Sequence, residues 1–490
     1  MRGASWTLAV DELERSTKLD PSLGAAQLRA ALYAGTATRR REHLAAAEQL
    51  RAALDERDQM LLKVAEAALA APLVPNDVIH RLRAVVSRFP DDAEAYGMLG
   101  NRLTVDVNRR DEGRAALLRA LELDPDYADA LLDLAMSYGN DDKDRAIEYA
   151  SRCLEVAPSA ASCLRERASD YLDRGQCAKL EADARTMTIV EPNGRRAYFY
   201  LARALAAKNA PLDAIEEALR QRAAVTPEGD MRSEATMENA LAVALLTGDL
   251  TAAEAAARRG MALAEGAQLE SEHSPPLEVL IDVLVERGES ERALAEGEAF
   301  ERHAAAWTAD APYGAHVRTL FLRKEEGRSD LPRLNATLDA LHDKQIARGG
   351  LPYCWSSEEG LFVSDAEQAS RVLADVPDSG GWRTSGFFPL GLGRTFLLAG
   401  QPAAAVEPLR AAANSCGILT AELRPAFYES TIWWMRAHVL LGQALEQTGD
   451  THGACAAYAV VMDRWRNAKP RSVTLEKAKE RSRALGCPML

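Results

Sequence analysis

Aromatic residues are scarce, 6% against 47% hydrophobic residues overall, and no long run of Val, Ile and Thr occurs. That scarcity argues against a sheet, whose half-buried faces favour β-branched and aromatic side chains. Ala-rich stretches favour helix instead. Long apolar segments are also missing. The most apolar run, LEVLIDVLV at 277–285, is short and carries Asp282, so it predicts no membrane span. The start, MRGASWTLAVDELERS, lacks the uninterrupted apolar stretch of a secretory leader. The seven cysteines include no C-x-x-C pair, which predicts neither a disulfide framework nor a zinc site and points to a reducing, cytoplasmic setting.

Catalytic signatures are absent too. There is no G-x-x-x-x-G-K-S/T phosphate loop, no H-E-x-x-H metal pair, no G-x-S-x-G elbow, and no H-R-D or D-F-G of a protein kinase. Gly391 and Gly393 fall in a helical stretch where small residues serve packing. His438, beside Trp433 and Trp434, reads as a packed or partly exposed helix residue rather than a ligand. Asp141 and Asp142 read as a solvated turn. No catalytic residue, metal or cofactor is predicted.

Cations are outnumbered, 59 Lys plus Arg against 73 Asp plus Glu, for a net charge of -14. Such a surface argues against nucleic-acid binding, which needs clustered cations to displace counterions. Charge is unevenly spread. Residues 270–302 hold ten acids and three bases, and residues 464–484 hold eight bases and two acids. Both runs read as solvated helix faces.

What the chain does have is a repeat. Prolines at 21, 90, 125, 158, 192 and 227 are separated by 69, 35, 33, 34 and 35 residues, the first interval being a double one with Asp55 near its missing middle. Proline cannot continue a helix interior, and a neighbouring Asp or Ser can cap the next helix, so each of these sites predicts a hinge between helices. After each proline, residues of matched size recur at fixed offsets: Ala95, Leu99, Gly100 and Leu103; Ala130, Leu134, Ala135 and Tyr138; Ala197, Leu201, Ala202 and Leu205. Small residues beside a large one let helix axes approach closely. After Pro158 the set is Cys163, Arg167, Ala168 and Tyr171, with Arg167 standing where Leu is expected. Before Pro158 a second helix offers Ala146, Ala150, Cys153 and Val156, much as Ala9, Leu13, Ser16 and Leu19 precede Pro21. Gly248/Ala253, Gly288/Ala293, Gly400/Ala405 and Gly449/Ala454 share one spacing of five, which predicts a left-handed glycine closing the first helix of each pair.

With this period and these offsets the chain resembles the tetratricopeptide repeat, a helix-turn-helix unit stacked into a solenoid. The resemblance implies an all-α fold, a right-handed α-α superhelix of roughly 11–13 repeats, some degenerate. We expect an N-terminal array at 1–233 with an incomplete first repeat, two diverged repeats at 234–302, degenerate helical repeats with long loops at 303–385, and a C-terminal repeat pair with a basic capping helix at 386–490. Because Ser5 to Lys18 match only the second helix of a repeat, the chain reads as the tail of a longer protein, with an atypical N-terminal cap as the alternative. Two segments, LAVDELERSTKLDPSLGAAQLRAAL and CAAYAVVMDRWRNAKPRSVTLEKAKERSRALGC, resemble those in tetratricopeptide tails of large bacterial signalling proteins such as receptor-like serine/threonine kinases.

A solenoid exposes the first helix of every repeat on its inner surface, where outward side chains can grip a peptide. In RRAYFYLARALA, with Ala197, Leu201, Ala202 and Leu205 in the seam, Arg196, Phe199, Tyr200 and Arg203 are expected to project into the groove and bind a partner peptide. The alternative is an Arg-covered aromatic that only stabilises the next repeat. Paired Asn residues that hold a peptide carboxylate in some members of the family are not matched, because Asp133 stands where the partner of Asn101 would be. The expected function is a non-catalytic scaffold binding an extended segment of a protein partner. The alternatives are a regulatory tail of a signalling enzyme and an enzyme built around Trp355 and Trp382. The oligomeric state stays open, as a monomer or a dimer through a terminal repeat.

Overall fold

The computed structural model describes residues 6–139, 142–266, 274–304, 313–346, 360–374, 388–419 and 431–488. Among them every regular element is a helix, with one isolated bridge between Asp249 and Lys469. Asp141, Cys354, Trp355 and Trp382 lie outside the described residues.

Several helices start where the sequence offers a side-chain acceptor. Asp55 accepts from the Asp58 amide at 2.7 Å, Asp92 from Ala95 at 3.1 Å, and Asp142 from Arg145 at 3.2 Å, each satisfying an orphan amide of the first turn. Asp55 thus does the work of the missing proline rung. After Pro125 the turn closes differently, with the Tyr127 amide donating to the Asp124 carbonyl at 3.1 Å and no side chain capping the helix that follows.

The chain divides into two compact units, Met1–Asp170 with Ile189–Glu191, and Tyr171–Thr188 with Pro192–Leu490. The first holds α1 (Trp6–Leu19), α2 (Gly24–Tyr33), α3 (Ala37–Gln49), α4 (Glu56–Ala68), α5 (Pro75–Arg88), α6 (Ala93–Thr104), α7 (Arg110–Leu123), α8 (Ala128–Tyr138), α9 (Lys143–Val156) and most of α10 (Ala161–Asp173). Adjacent helices pack in pairs. Ala95, Leu99 and Leu103 of α6 and Ala130, Leu134, Ala135 and Tyr138 of α8 are buried as their offsets predict. At the α6–α7 seam Gly100 and Gly113 face each other. A Cβ on Gly100 would meet Leu117 at 2.5 Å and the Gly113 carbonyl at 2.9 Å, so this approach requires glycine. Arg167, at a position where Leu was expected, is half-buried and donates to Ser151 Oγ at 3.1 Å.

The second unit holds most of α11 (Cys177–Val190), then α12 (Arg195–Ala207), α13 (Leu212–Ala224), α14 (Asp230–Thr247), α15 (Leu250–Gly266), α16 (Ser274–Glu286), α17 (Ser290–Ala304), α18 (Tyr313–Glu325), α19 (Leu331–Ile346), α20 (Ala366–Ala374), α21 (Phe388–Leu398), α22 (Pro402–Asn414), α23 (Thr431–Gln447), α24 (Thr451–Arg464) and α25 (Val473–Ala484). Gly248, Gly288, Gly400 and Gly449 adopt φ of +74°, +77°, +74° and +86°, and the alanines five residues later are fully buried. One continuous apolar core joins Phe199 of α12, Leu241 of α14 and Leu280 of α16 to Trp433 of α23, to Trp465 just after α24 and to Leu475 of α25. Within this unit the C-terminal helices therefore pack back onto the repeats that begin it. The Trp465 indole donates to the Leu245 carbonyl at 2.9 Å, and the Lys469 amide donates to the Gly248 carbonyl at 3.0 Å.

The cysteine expectation is overturned. Cys153 bonds Cys163, Cys177 bonds Cys416 and Cys455 bonds Cys487. Sequence spacing hid these pairs because two of them join residues 239 and 32 positions apart. The third joins positions 10 apart that face each other across the α9–α10 seam.

Candidate functional site

The four residues expected on the α12 groove face do not share an open surface. Arg196 is exposed and Tyr200 half-buried, whereas Phe199 and Arg203 are buried, at 7% and 4% exposure. Arg203 donates to the Leu419 carbonyl at 3.2 Å, and its guanidinium lies 4.9 Å from the centre of the Phe199 ring. Arg222 of α13 covers the same ring at 4.7 Å and forms a buried ion pair with Glu238. Phe199 and Arg203 thus hold neighbouring helices together, because the segment after α22 covers this end of α12.

Asn101 is also engaged, donating to Asp133 Oδ1 at 2.9 Å. Burial pushes the Asp133 carboxyl up to about 7, partly opposed by that hydrogen bond. The two charge runs are likewise partnered. Arg258 of α15 pairs with Glu296 at 2.7 Å, Arg323 of α18 with Glu298 at 3.1 Å, and Lys469 with Asp249 at 3.0 Å. His438 is buried edge-on to Trp434, with ring centres 4.2 Å apart. Gly393 sits where a Cβ would be 2.5 Å from Leu409 Cγ, so it serves close helix packing.

The convergence of charged and aromatic side chains lies elsewhere in the second unit. A cavity of about 280 Å³ opens between α16, α18, α21, α23 and α25. Phe321, Phe362 and Trp433 give it aromatic walls, with Phe362 edge-on to Trp433 at 5.5 Å. Asp282 of α16 anchors one side. It accepts from the Trp433 indole at 2.8 Å and from Arg318 at 3.3 Å, while Arg318 also donates to Glu278 at 2.8 Å. This satisfies a buried carboxylate from several directions, as a charge removed from water requires.

Glu286, one turn further along α16 and 0% exposed at its side chain, organises the other side. It accepts from Arg436 Nε and Nη2 at 3.2 and 3.1 Å, from Ser472 Oγ at 2.7 Å, and from the Thr474 amide and hydroxyl at 2.9 and 2.8 Å. The expected solvated cap, α25, is therefore pinned at its N-terminus to α16 and completes the cavity wall. Sequence reading missed this because Glu286 and Thr474 are 188 positions apart. Only the acidic residue within an apolar helix was there to signal it.

Two cations in the cavity are not answered in this way. Arg394 donates through Nε and Nη2 to the Val363 carbonyl at 3.1 and 2.8 Å, and Lys477 stands exposed at the rim. Burial, reinforced by the facing Arg436, pushes the Arg394 guanidinium down to about 10, and burial followed by Arg394 lowers Lys477.

The tetratricopeptide repeat family profile matches residues 129–160, which are the α8–α9 pair. Over these residues the chain is similar to tetratricopeptide-repeat proteins. Its helices pack in adjacent pairs and bury Ala95, Leu99, Leu103, Ala130, Leu134, Ala135 and Tyr138, whereas Leu201 is half-buried and Leu19 and Val156 are exposed. Among solved structures it is similar to that of Naa15/Naa10 bound to HypK-THB, at 14% identity over 88% of this chain and 66% of that one, with a TM-score of 0.29. It is also similar to the APC/C hetero-tetramer Cut9–Hcn1, at 12% identity over 85% of this chain and 74% of that one, with a TM-score of 0.46. A search of the curated proteins finds no match.

Proposed function

We propose that this tetratricopeptide-repeat protein is a non-catalytic interaction scaffold that takes up an extended segment of a protein partner along the face formed by the first helices of its repeats. The observation that carries this reading is the convergence of α16, α18, α21 and α23 on one concavity, with charged and aromatic side chains on a rigid helical support. Arg and aromatic residues on such a support are the types that dominate interface energies. Of the residues first expected to bind, Arg196 is exposed and Tyr200 half-buried, whereas Phe199 and Arg203 are buried.

A photoreactive residue tests the assignment. Placed at Lys477 on the cavity rim, it should crosslink a partner chain, and placed at Arg220, exposed on the second helix α13, it should not. Crosslinking from Arg220 alone would put the binding face on the opposite side of the repeats. A second reading, a regulatory tail of a signalling enzyme, is supported by the two terminal segments that resemble such tails. A native protein much larger than 53.2 kDa would favour it.

Three disulfides support an oxidising compartment in place of the cytoplasmic one, since thiols stay reduced in the cytosol. No helix among the described residues is long and apolar enough to cross a membrane.

A further inference from the structure

The cations around the cavity divide into two kinds. Arg318 is answered by Glu278 and Asp282, and Arg436 by Glu286. Arg394 and Lys477 form no ion pair among the described residues, although both line the same cavity. Arg394 spends two nitrogens on a neutral carbonyl, Val363 O, and its Nη1 makes no hydrogen bond among the described residues. A guanidinium in that state can still fork onto an anion. Glu325, exposed at the rim, faces Arg394 without pairing with it.

Apart from Asp282, Thr474 and the charged groups just named, the lining is apolar. Ile281, Phe321, Leu361, Leu390 and Trp433 are all buried around it. Water in such a space finds few partners, whereas an apolar group gains contact on every side. Scaled from a cavity of about 150 Å³ that takes benzene, this one has room for about eleven non-hydrogen atoms.

We infer that this cavity is a binding site for a small organic carboxylate, held at its charged end by Arg394 and Lys477 and enclosed along its apolar body by Phe321, Phe362 and Trp433. A carboxylate supplies the acceptors that Arg394 and Lys477 lack, and it separates Arg394 from the facing Arg436. The inference goes beyond partner capture, because it concerns an occupant of the cavity itself. The carboxylate could come from a free aromatic acid or from the end of a polypeptide.

Calorimetric titration of the whole chain tests it with phenylpropionate, which fits the estimated size, and with the uncharged phenylpropionamide. The acid should bind at one saturable site and the amide about tenfold more weakly or worse. Lys477→Gln, on the exposed rim, should weaken the acid about tenfold and leave the amide unchanged, and Arg394→Lys should act in the same direction. The peptide Ala-Ala-Phe, with a free or amidated end, separates the sources. Tighter binding of the free-ended peptide than of phenylpropionate assigns the site to polypeptide ends, and the reverse order assigns it to a free acid. Equal binding of acid and amide overturns the inference. So does undiminished acid binding in both variants, or no binding of either phenylpropionate or the free-ended peptide.

Discussion

Cys177 and Cys416, 239 positions apart, are joined with their Cα atoms 5.6 Å from each other. The bond fixes the segment after α22 beside the start of α11, where the Cys416 amide also donates to the Leu172 carbonyl at 3.1 Å. Three residues later Leu419 offers its carbonyl to Arg203. A covalent tie at one end of this segment thus explains why a side chain expected in a groove is inside the fold.

Peptide mapping without reduction should recover three linked pairs, and alkylation of the unreduced, denatured chain should label none of the six cysteines. The Cys177→Ser, Cys416→Ser double variant should lose roughly 2–5 kcal/mol in the transition that reports on the second unit, the range for a native cross-link closing a long loop. Labelling of Cys177 or Cys416 in the unreduced protein would contradict the pairing.

The four α12 residues should separate into two classes. Arg203→Ala leaves the buried Leu419 carbonyl without its donor and uncovers Phe199, and should cost about 1–3 kcal/mol in denaturant unfolding. Arg196→Ala, on the exposed side of the same helix, should change stability by no more than about 0.5 kcal/mol. Equal effects would mean that both side chains see the same environment.

Glu286→Gln should be among the most damaging single changes in the second unit. The amide cannot accept at both ends, and Arg436 loses its counter-charge in a partly buried site, at a cost of about 3–5 kcal/mol. Adding Arg436→Met should recover part of that loss, since the unpaired charge then disappears. A double variant as unstable as Glu286→Gln alone would place the damage in the Ser472 and Thr474 hydrogen bonds instead.

Acid should weaken the packing around α23 through His438. Burial, aided by the nearby Arg464, lowers its pKa to about 3, so the folded protein keeps the ring neutral while an unfolded chain takes up a proton near pH 6.5. Stability from this group is complete above pH 6.5 and falls as pH drops toward 3, at about 1.4 kcal/mol per pH unit. Melting followed by tryptophan fluorescence between pH 7 and 5 should show a shallower loss for His438→Phe than for the parent. Parallel curves would mean that the ring is already protonated, or accessible, in the folded protein.

Local order was legible in the sequence because its causes are local. Gly248 and Ala253 lie on one turn and the helix after it, so a spacing of five residues carries both the left-handed φ and the buried alanine. The offsets Ala130, Leu134 and Tyr138 likewise report one face of a single helix, and Asp55 caps the helix that begins beside it. These relations, with the proline period, determined an all-helical chain of paired repeats.

What lay beyond them depended on where distant repeats meet. Nothing in the order of residues brings Cys177 to Cys416, Arg203 to Leu419, or Glu286 to Thr474, because each pairing joins segments far apart along the chain. The outward face of one first helix therefore does not define a groove. In α12 that face is covered by the returning chain, and in α16, α18, α21 and α23 it encloses a cavity. Repeat period and helix faces are properties of neighbouring residues, whereas burial, cross-linking and the charge balance of the cavity were decided by the tertiary structure.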